Sequence, residues 1–514
     1  MLKRNFILIV ICLLYINNKG QITFNNYYKT GYNNFFSTNI FPQPDSSNII
    51  FNYLQDSATG RQDLGILKIN KQGNLLVNKT FNINNVNYLA YINGLKQFIP
   101  ATNNSFLAVS GTYTNTNTTI IFTKINKTTL DTIKNTFYYD GTYNYYVNNF
   151  IKLNDNKYYL IGGKGNTTTE WPVIFHLDSN LTIINIITLN NPINLSCTNA
   201  VINPITKKLL FSGTITYNTN KINVGFIEAD TLGVISNTAI INYNGAQGIS
   251  QLRYSNFDNS YVFNGSKRTS KYGSTSMLRL NITKLNSTNL NVIWAKTYGS
   301  AAITNNCNSF VINTDGSIVT CGRYADSTSL PLMNYDIKGV ILKVSAVGDS
   351  LWMRQYNNYQ TPPNPLNYFE TFFGIEKTYD GGYIACGGVI NQPQGKAWVL
   401  KTDSLGCISA GCGSVINGTP TIISGIKTQE KNEEAQSISI YPNPANDILN
   451  IELVEIKIKD YRLEIVNNLG QVVYQSLIIN HHSSIVIKEL PSGIYFINIF
   501  SKNGLIEAKK IVKE

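Results

Sequence analysis

The chain has 514 residues, 43% of them hydrophobic and only 14% charged, which is enough apolar material for two or three folded domains and excludes a disordered tail as a description of the whole. Its formal net charge of +12 is scattered, with no basic run longer than a Lys-Lys pair outside short mixed segments, and this argues against nucleic acid as a partner. Asparagine, isoleucine, threonine, tyrosine and lysine are heavily used while alanine and proline are sparse, so an all-β fold is expected.

In chain order, the first element is MLKRNFILIVICLLYINNKG. Lys3 and Arg4 precede an apolar run from Phe6 to Ile16, and polar residues follow, the pattern of a secretory signal peptide over residues 1–20. That run is too short to span a bilayer comfortably and nothing comparable occurs later, so no transmembrane anchor is expected. Cleavage before Gln21 removes Cys12 and leaves Cys197, Cys307, Cys321, Cys386, Cys407 and Cys412 in an oxidising compartment. Cys407 and Cys412, in GCISAGCGS, are the pair close enough in sequence to predict as a disulfide.

From residue 21 to 410 the chain repeats itself with a period of roughly 50 to 60 residues. Each unit carries an apolar strand ending in a small residue and usually Gly, as in FLAVSGTY from Phe106, LLFSGTIT from Leu209, SIVTCGRY from Ser317 and YIACGGVI from Tyr383. A second strand follows each, as in TIIFTKINKTT, KGVILKVSAVG and AWVLKTDSLGC, then a polar turn and a third strand such as NVIWAKTYG. A further alternating stretch precedes each first strand, giving units of four short strands, the arrangement of a β-propeller. Gly73, Gly233, Gly348 and Gly406 fall where tight hairpins need positive φ, and the small residue followed by Gly suits close backbone approach near a crowded axis.

Both parts of the repeat occur seven times, so a seven-bladed propeller is predicted. The seventh unit stops at KAWVLKTDSLGC without a fourth strand, whereas QITFNNYYKTG, directly after the signal peptide, reads as one. Pairing of that segment beside Trp398 to Lys401 would close the ring and leave no open edge. The fifth to seventh units, with TDGSIVTCG, YDGGYIACGG, WVLKTDSLG and NVIWAKTYG, resemble a repeat common in secreted bacterial proteins.

Residues 411–436, GCGSVINGTPTIISGIKTQEKNEEAQ, show little periodicity and read as a linker. Alternation returns over 437–514 in SISIYPNPANDILNIEL, YRLEIVNNLGQVVYQSLI, SSIVIKEL and GIYFINIFSKNGLIEAKKIVKE, several short strands that predict a small Ig-like β-sandwich. Pro442 and Pro444 fix φ and cannot donate to a ladder, so YPNP is a rigid bend between two strands. In order with NNLGQVV, LPSGIYFINI and the terminal KKIVK, this stretch resembles the type A C-terminal sorting domain of type IX secretion in the Bacteroidetes group. The matching positions are Tyr441, Pro442, Asn443, Pro444, Asp447, Leu449, Leu469, Gly470, Gly493, Tyr495, Lys509 and Lys510. The resemblance implies export through the type IX machinery as partner, removal of the tail, and release from the cell or attachment to its surface. The apolar members of the set read equally as sandwich core.

Chemistry is sparse. His176, His481 and His482 are the three histidines, too few and too dispersed for a triad, a Cys/His pair or a His-rich zinc site. His176 reads as a strand position where sibling units carry Lys or Glu, and the other two as loop residues. There is no phosphate loop, nucleophile elbow or EF-hand, and no cofactor or metal is expected. Asp178, Asp230 and Asp403 recur at hairpin turns; Cys321 and Cys386 share a small-residue core slot. The reading is an exported binding module whose propeller takes a glycan or protein ligand. The alternative is an extracellular, glycosidase-like hydrolase in which two carboxylates meet only in the fold, about 5 to 10 Å apart.

Overall fold

The computed structural model describes residues 21–28, 34–55, 62–81, 98–102, 104–113, 118–154, 157–165, 170–218, 221–241, 247–272, 275–302, 305–325, 337–357, 369–390, 396–409, 421–424, 437–454, 461–467, 471–478, 482–501 and 504–514. Every regular element among them is a strand, and no helix among them is long and apolar enough to cross a membrane. The chain divides into two compact units, Met1–Ile426 and Lys427–Glu514.

Among the described residues the first unit contains seven sheets taken in chain order, each built on four antiparallel strands. Their first strands are Asn34–Pro42, Phe98–Ala101, Asn144–Asn154, Ser196–Ile202, Gln247–Ser255, Asn306–Ile312 and Phe369–Lys377. An apolar cluster fills each junction between successive sheets: Phe51 meets Phe106, Phe122 meets Phe175, Ile174 shares a cluster with Phe211, and Phe226 meets Phe263. Ile282 with Phe310 and Tyr356 with Phe372 fill the next two. The last cluster joins Ile384 and Val399 of the seventh sheet to Ile50 and Leu67 of the first, so the row of sheets closes on itself. Middle strands are covered on both faces, which is why they read as unbroken apolar runs. Asn48–Gln55 is buried at seven successive positions, whereas the outer Leu75–Phe81 alternates with solvent.

The closing sheet takes its fourth strand from the other end of the chain. Phe24–Tyr28 pairs antiparallel with the Lys396–Thr402 strand, Phe24 opposite Lys401 and Tyr27 opposite Trp398. Trp398 is fully buried, stacks on Phe372 at 4.0 Å between centroids, and donates its Nε1–H to Asn25 Oδ1 at 2.5 Å. Tyr28 donates to the Gly73 carbonyl of the first sheet at 2.5 Å. Tyr298 and Tyr356 bond Gly348 and Gly406 in the same way, so the N-terminal segment repeats what the other fourth strands do.

The small-residue-plus-Gly signature has a steric cause. In six sheets the first strand carries one extra residue, giving register shifts such as Cys197/Asn199, Ile249/Gln251, Cys307/Ser309 and Phe372/Gly374, and the glycine lies opposite each of these four bulges. A Cβ on Gly213, Gly265, Gly322 or Gly387 would lie 1.8–1.9 Å from a carbonyl oxygen of the first strand. Gly73, Gly233, Gly348 and Gly406 all have φ between 76° and 86°, as their hairpins require.

Among the described residues the predicted linker contains one strand. Thr421–Ser424 is a strand that pairs parallel with Ser350–Asn357 on the outside of the sixth sheet. The short β-branched TIIS segment satisfies backbone groups that an outer strand would leave open, and no periodicity is visible in four residues.

The second unit has a three-stranded sheet (Ser437–Tyr441, Ile448–Val454, His482–Val486) and a four-stranded one in the order Val472–Ile478, Tyr461–Val466, Gly493–Ser501, Gly504–Lys513. Both contribute to one core: Leu449, Ile451 and Ile485 from the first, Leu463, Ile465, Ile497, Ile499 and Ile511 from the second.

Candidate functional site

All seven first strands line one cavity of about 470 Å³, within the range of ligand pockets. Phe41, Phe98, Phe150, Ile202, Arg253, Ser309 and Glu376 are among its walls, one from each sheet. The bulges place carboxamides along these strands, Asn149, Asn199 and Gln251 among those lining the cavity. Asn148 Nδ2 donates to Cys197 O at 2.7 Å, Asn149 Nδ2 to Ala200 O at 2.6 Å, Asn199 Nδ2 to Ser250 O at 3.2 Å and Asn308 Nδ2 to Phe372 O at 2.7 Å. Gln251 Oε1 accepts from Phe310 N at 2.9 Å. Each bond crosses from one sheet to the next, so a belt of side-chain amides joins neighbouring sheets around the axis, at about 1 kcal/mol net per bond. Sequence reasoning missed this belt. Its signal was the small polar residues inside otherwise apolar first strands, in YVNNFIK, CTNAVI, ISQLRY and CNSFVI.

Arg253 reaches across two sheets. Its Nη2 lies 3.0 Å from Glu376 Oε1, its Nε donates to Gln251 Oε1 at 3.2 Å, and its guanidinium lies 5.7 Å from the Phe310 ring centroid. Among the described residues lining the cavity, Glu376 is the only carboxylate, and it is taken up by this ion pair. The two converging carboxylates of a glycosidase-like site are therefore not found among the described lining residues.

The other sequence candidates resolve into structure. Asp178, Asp230 and Asp403 each accept two backbone N–H groups through Oδ1, at positions two and four residues on, the hairpin role expected of them. Cys197, Cys307, Cys321 and Cys386 are buried and free. Burial pushes the Cys197 and Cys307 thiols up to about 12 and the Cys321 and Cys386 thiols well above their usual value, so they pack as small protonated side chains. Cys407 is disulfide-bonded; Cys412 lies outside the described residues. No group of three metal-ligating side chains occurs among the described residues.

His176 is less solvated than its sequence position suggested. It packs on Tyr159 at 4.6 Å between ring centroids, and its Nε2–H donates to Thr231 O of the next sheet at 3.0 Å. Lys124 and Lys284, at the same repeat position, donate likewise to Ser179 O and Ala346 O. Burial lowers the imidazole pKa below its usual 6.5, only partly countered by the Thr231 bond. The unfolded chain then binds a proton that the folded state resists, so this contribution to stability is full above the unfolded pKa and is lost as pH falls through it. Melting temperatures at about pH 7.5 and 5.5 should show a drop that His176→Gln reduces; an unchanged slope would remove His176 as its source. His481 lies outside the described residues, and His482 opens a strand of the second unit.

In the second unit the structure brings the two ends of the predicted sorting motif together. Tyr441, Pro442, Asn443 and Pro444 are exposed in the bend between the first two strands, with cis Tyr441–Pro442 and Asn443–Pro444 bonds. Asn443 Nδ2 donates to Lys510 O at 3.0 Å and its Oδ1 accepts from Val512 N at 2.9 Å. Ala445, fully buried, bonds Val512 O and Glu514 N through its backbone. The YPNP bend is thus latched to the strand carrying Lys509 and Lys510. Leu449 and Tyr495 are core residues, Tyr495 also donating to Pro491 O at 2.8 Å. The Asp447 carbonyl accepts from Ile487 N, and Gly493 opens the third strand of the four-stranded sheet. Leu469 and Gly470 lie outside the described residues.

Residues 439–514 match the family model described as a secretion system C-terminal sorting domain. A search of curated protein sequences finds no match. Among solved structures the chain is similar to Sqt1 from Chaetomium thermophilum (10% identity, 74% of this chain and 100% of that one, TM-score 0.41). It is also similar to the β-propeller domain of the Trilobed protease from Pyrococcus furiosus (6%, 73% and 97%, TM-score 0.37). A third is the α-L-arabinofuranosidase Arb93A from Fusarium graminearum (11%, 74% and 97%, TM-score 0.38). At these TM-scores none of the three carries an argument about function. The tail match does: the C-terminal unit belongs to the secretion system C-terminal sorting domains, and the chain that carries it is type IX secretion cargo.

Proposed function

We propose that this protein is an exported binding module at the cell surface or in the medium: a signal peptide over 1–20, a seven-bladed β-propeller over 21–410, a linker over 411–436 and an Ig-like sandwich over 437–514 that directs type IX secretion. In this reading Cys412 is the disulfide partner of Cys407. The observation that carries the binding role is the cavity to which all seven first strands contribute, with aromatic walls, carboxamides and a single Arg253–Glu376 pair. Such a lining offers apolar faces and hydrogen bonds suited to a glycan or protein ligand. The hydrolase alternative has no second carboxylate among the described lining residues to support it.

The test is a screen of the mature protein against glycans and surface proteins, with product analysis alongside. Binding without turnover is expected, and Arg253→Ala should weaken it by about tenfold, or 1.4 kcal/mol. Release of reducing sugar, or binding indifferent to Arg253→Ala, would overturn the reading.

A further inference from the structure

The sorting match says that the second unit is read by a secretion apparatus, without saying which surface is read. The unit's two sheets have four edges. Gly504–Lys513 is blunted by Glu507, Lys509, Lys510 and Lys513 and is covered near its end by the Asn443–Ala445 latch. Ser437–Tyr441 has five residues and runs into Pro442 and Pro444; His482–Val486 also has five. Charge, proline, covering and shortness are the devices by which native edges avoid pairing with other chains.

Among the described residues the fourth edge has none of them. Val472–Ile478, VVYQSLI, is seven residues long and contains no charge, proline or glycine. It pairs on one side with Tyr461–Val466, and the one register irregularity falls at its first residue pair, Val466 with Val472. Val472, Val473 and Leu477 are 50%, 38% and 63% exposed. An apolar row leads away from this edge across the outer face of the sheet: Val472 opposite Val466, Val466 opposite Phe496, and Phe496 opposite Lys510, with Phe496 40% exposed. A row of exposed apolar side chains ending at an open edge marks an interaction site.

We propose that Val472–Ile478 is the docking edge of the sorting domain, and that its occupant is an extended strand of the type IX machinery added by backbone pairing. Alternate apolar residues of that strand extend the Val472–Val466–Phe496 row. Backbone pairing supplies affinity in such complexes and side-chain rows supply register. The chain itself shows that its outer strands accept this addition, since Thr421–Ser424 joins Ser350–Asn357. Uncharged outer strands such as Ile183–Thr188 also end sheets of the first unit, but the family match covers residues 439–514 and places recognition in the tail.

The experiment uses the full chain in its producing bacterium. Val473→Lys with Leu477→Lys places charges on the edge, and Val486→Lys places one at an exposed position of the other sheet, where Val486 is 67% exposed. The double variant should lower the exported fraction by about tenfold and accumulate as full-length periplasmic protein, while Val486→Lys is exported normally. Normal export of the double variant, or equal loss with Val486→Lys, would overturn the proposal. A photo-crosslinking residue at Gln475, compared with one at Ser484, decides the case if the double variant misfolds. Adducts from position 475 identified as type IX machinery support the proposal, and such adducts from 484 alone sink it.

Discussion

Gly322→Ala should be among the most destabilising single substitutions in the first unit, costing about 3 kcal/mol or more. The new methyl would sit 1.9 Å from Asn306 O and 3.0 Å from Cys307 Cα. Those atoms belong to the first strand just ahead of its extra residue, Asn308, so they cannot move alone. Displacing them pulls on the Asn308 amide, which holds Phe372 O of the seventh sheet at 2.7 Å, and on Cys307, which is fully buried in the junction between the fifth and sixth sheets. The matched control is Gly163→Ala, where the nearest atom to the added carbon is Trp171 O at 3.7 Å. That substitution should change stability by no more than about 0.5 kcal/mol. Denaturant unfolding of both variants checks the pair of values, and equal midpoints would mean that the bulge opposite Gly322 is not as close as described.

The same glycine shows what could be read from the sequence. Small-residue-plus-Gly endings, hairpin Asp and Gly residues, and four apolar segments per unit are local features recurring at fixed spacing, so repetition made them visible before any coordinates. The closing strand was legible for the same reason: Phe24–Tyr28 uses its terminal tyrosine on a turn carbonyl just as the strands ending near Tyr298 and Tyr356 do. The amide belt was not legible. A bulge shifts the inside-outside alternation by one residue, so Asn149, Asn199 and Gln251 cannot be assigned to the axis without knowing where each strand is irregular. Asn443 was hidden differently. Its carboxamide serves a strand about seventy residues later, and a turn between prolines explained its local sequence well enough to conceal the latch. Thr421–Ser424 is too short to show a period.

A chain ended after Ile426 should keep the stability of the first unit and lose export altogether. The boundary follows the division into Met1–Ile426 and Lys427–Glu514, each with its own apolar clusters, so removing the tail takes no side chain from the clusters that close the seven sheets. Its unfolding free energy should match that of the first unit in the full protein to within about 0.5 kcal/mol, as expected for separate cores. Placing the stop at residue 410 is a different experiment, because it also strips Thr421–Ser424 from the Ser350–Asn357 strand and reopens that edge. In the producing bacterium, immunoblots of medium, intact cells and periplasm should find the shortened form only in the periplasm, whereas Lys427–Glu514 fused behind a signal peptide and a reporter should carry the reporter out. Export of the shortened protein at the full-length level would mean that the first unit holds its own address, and the C-terminal unit would then be a β-domain whose match to the sorting family does not direct this chain.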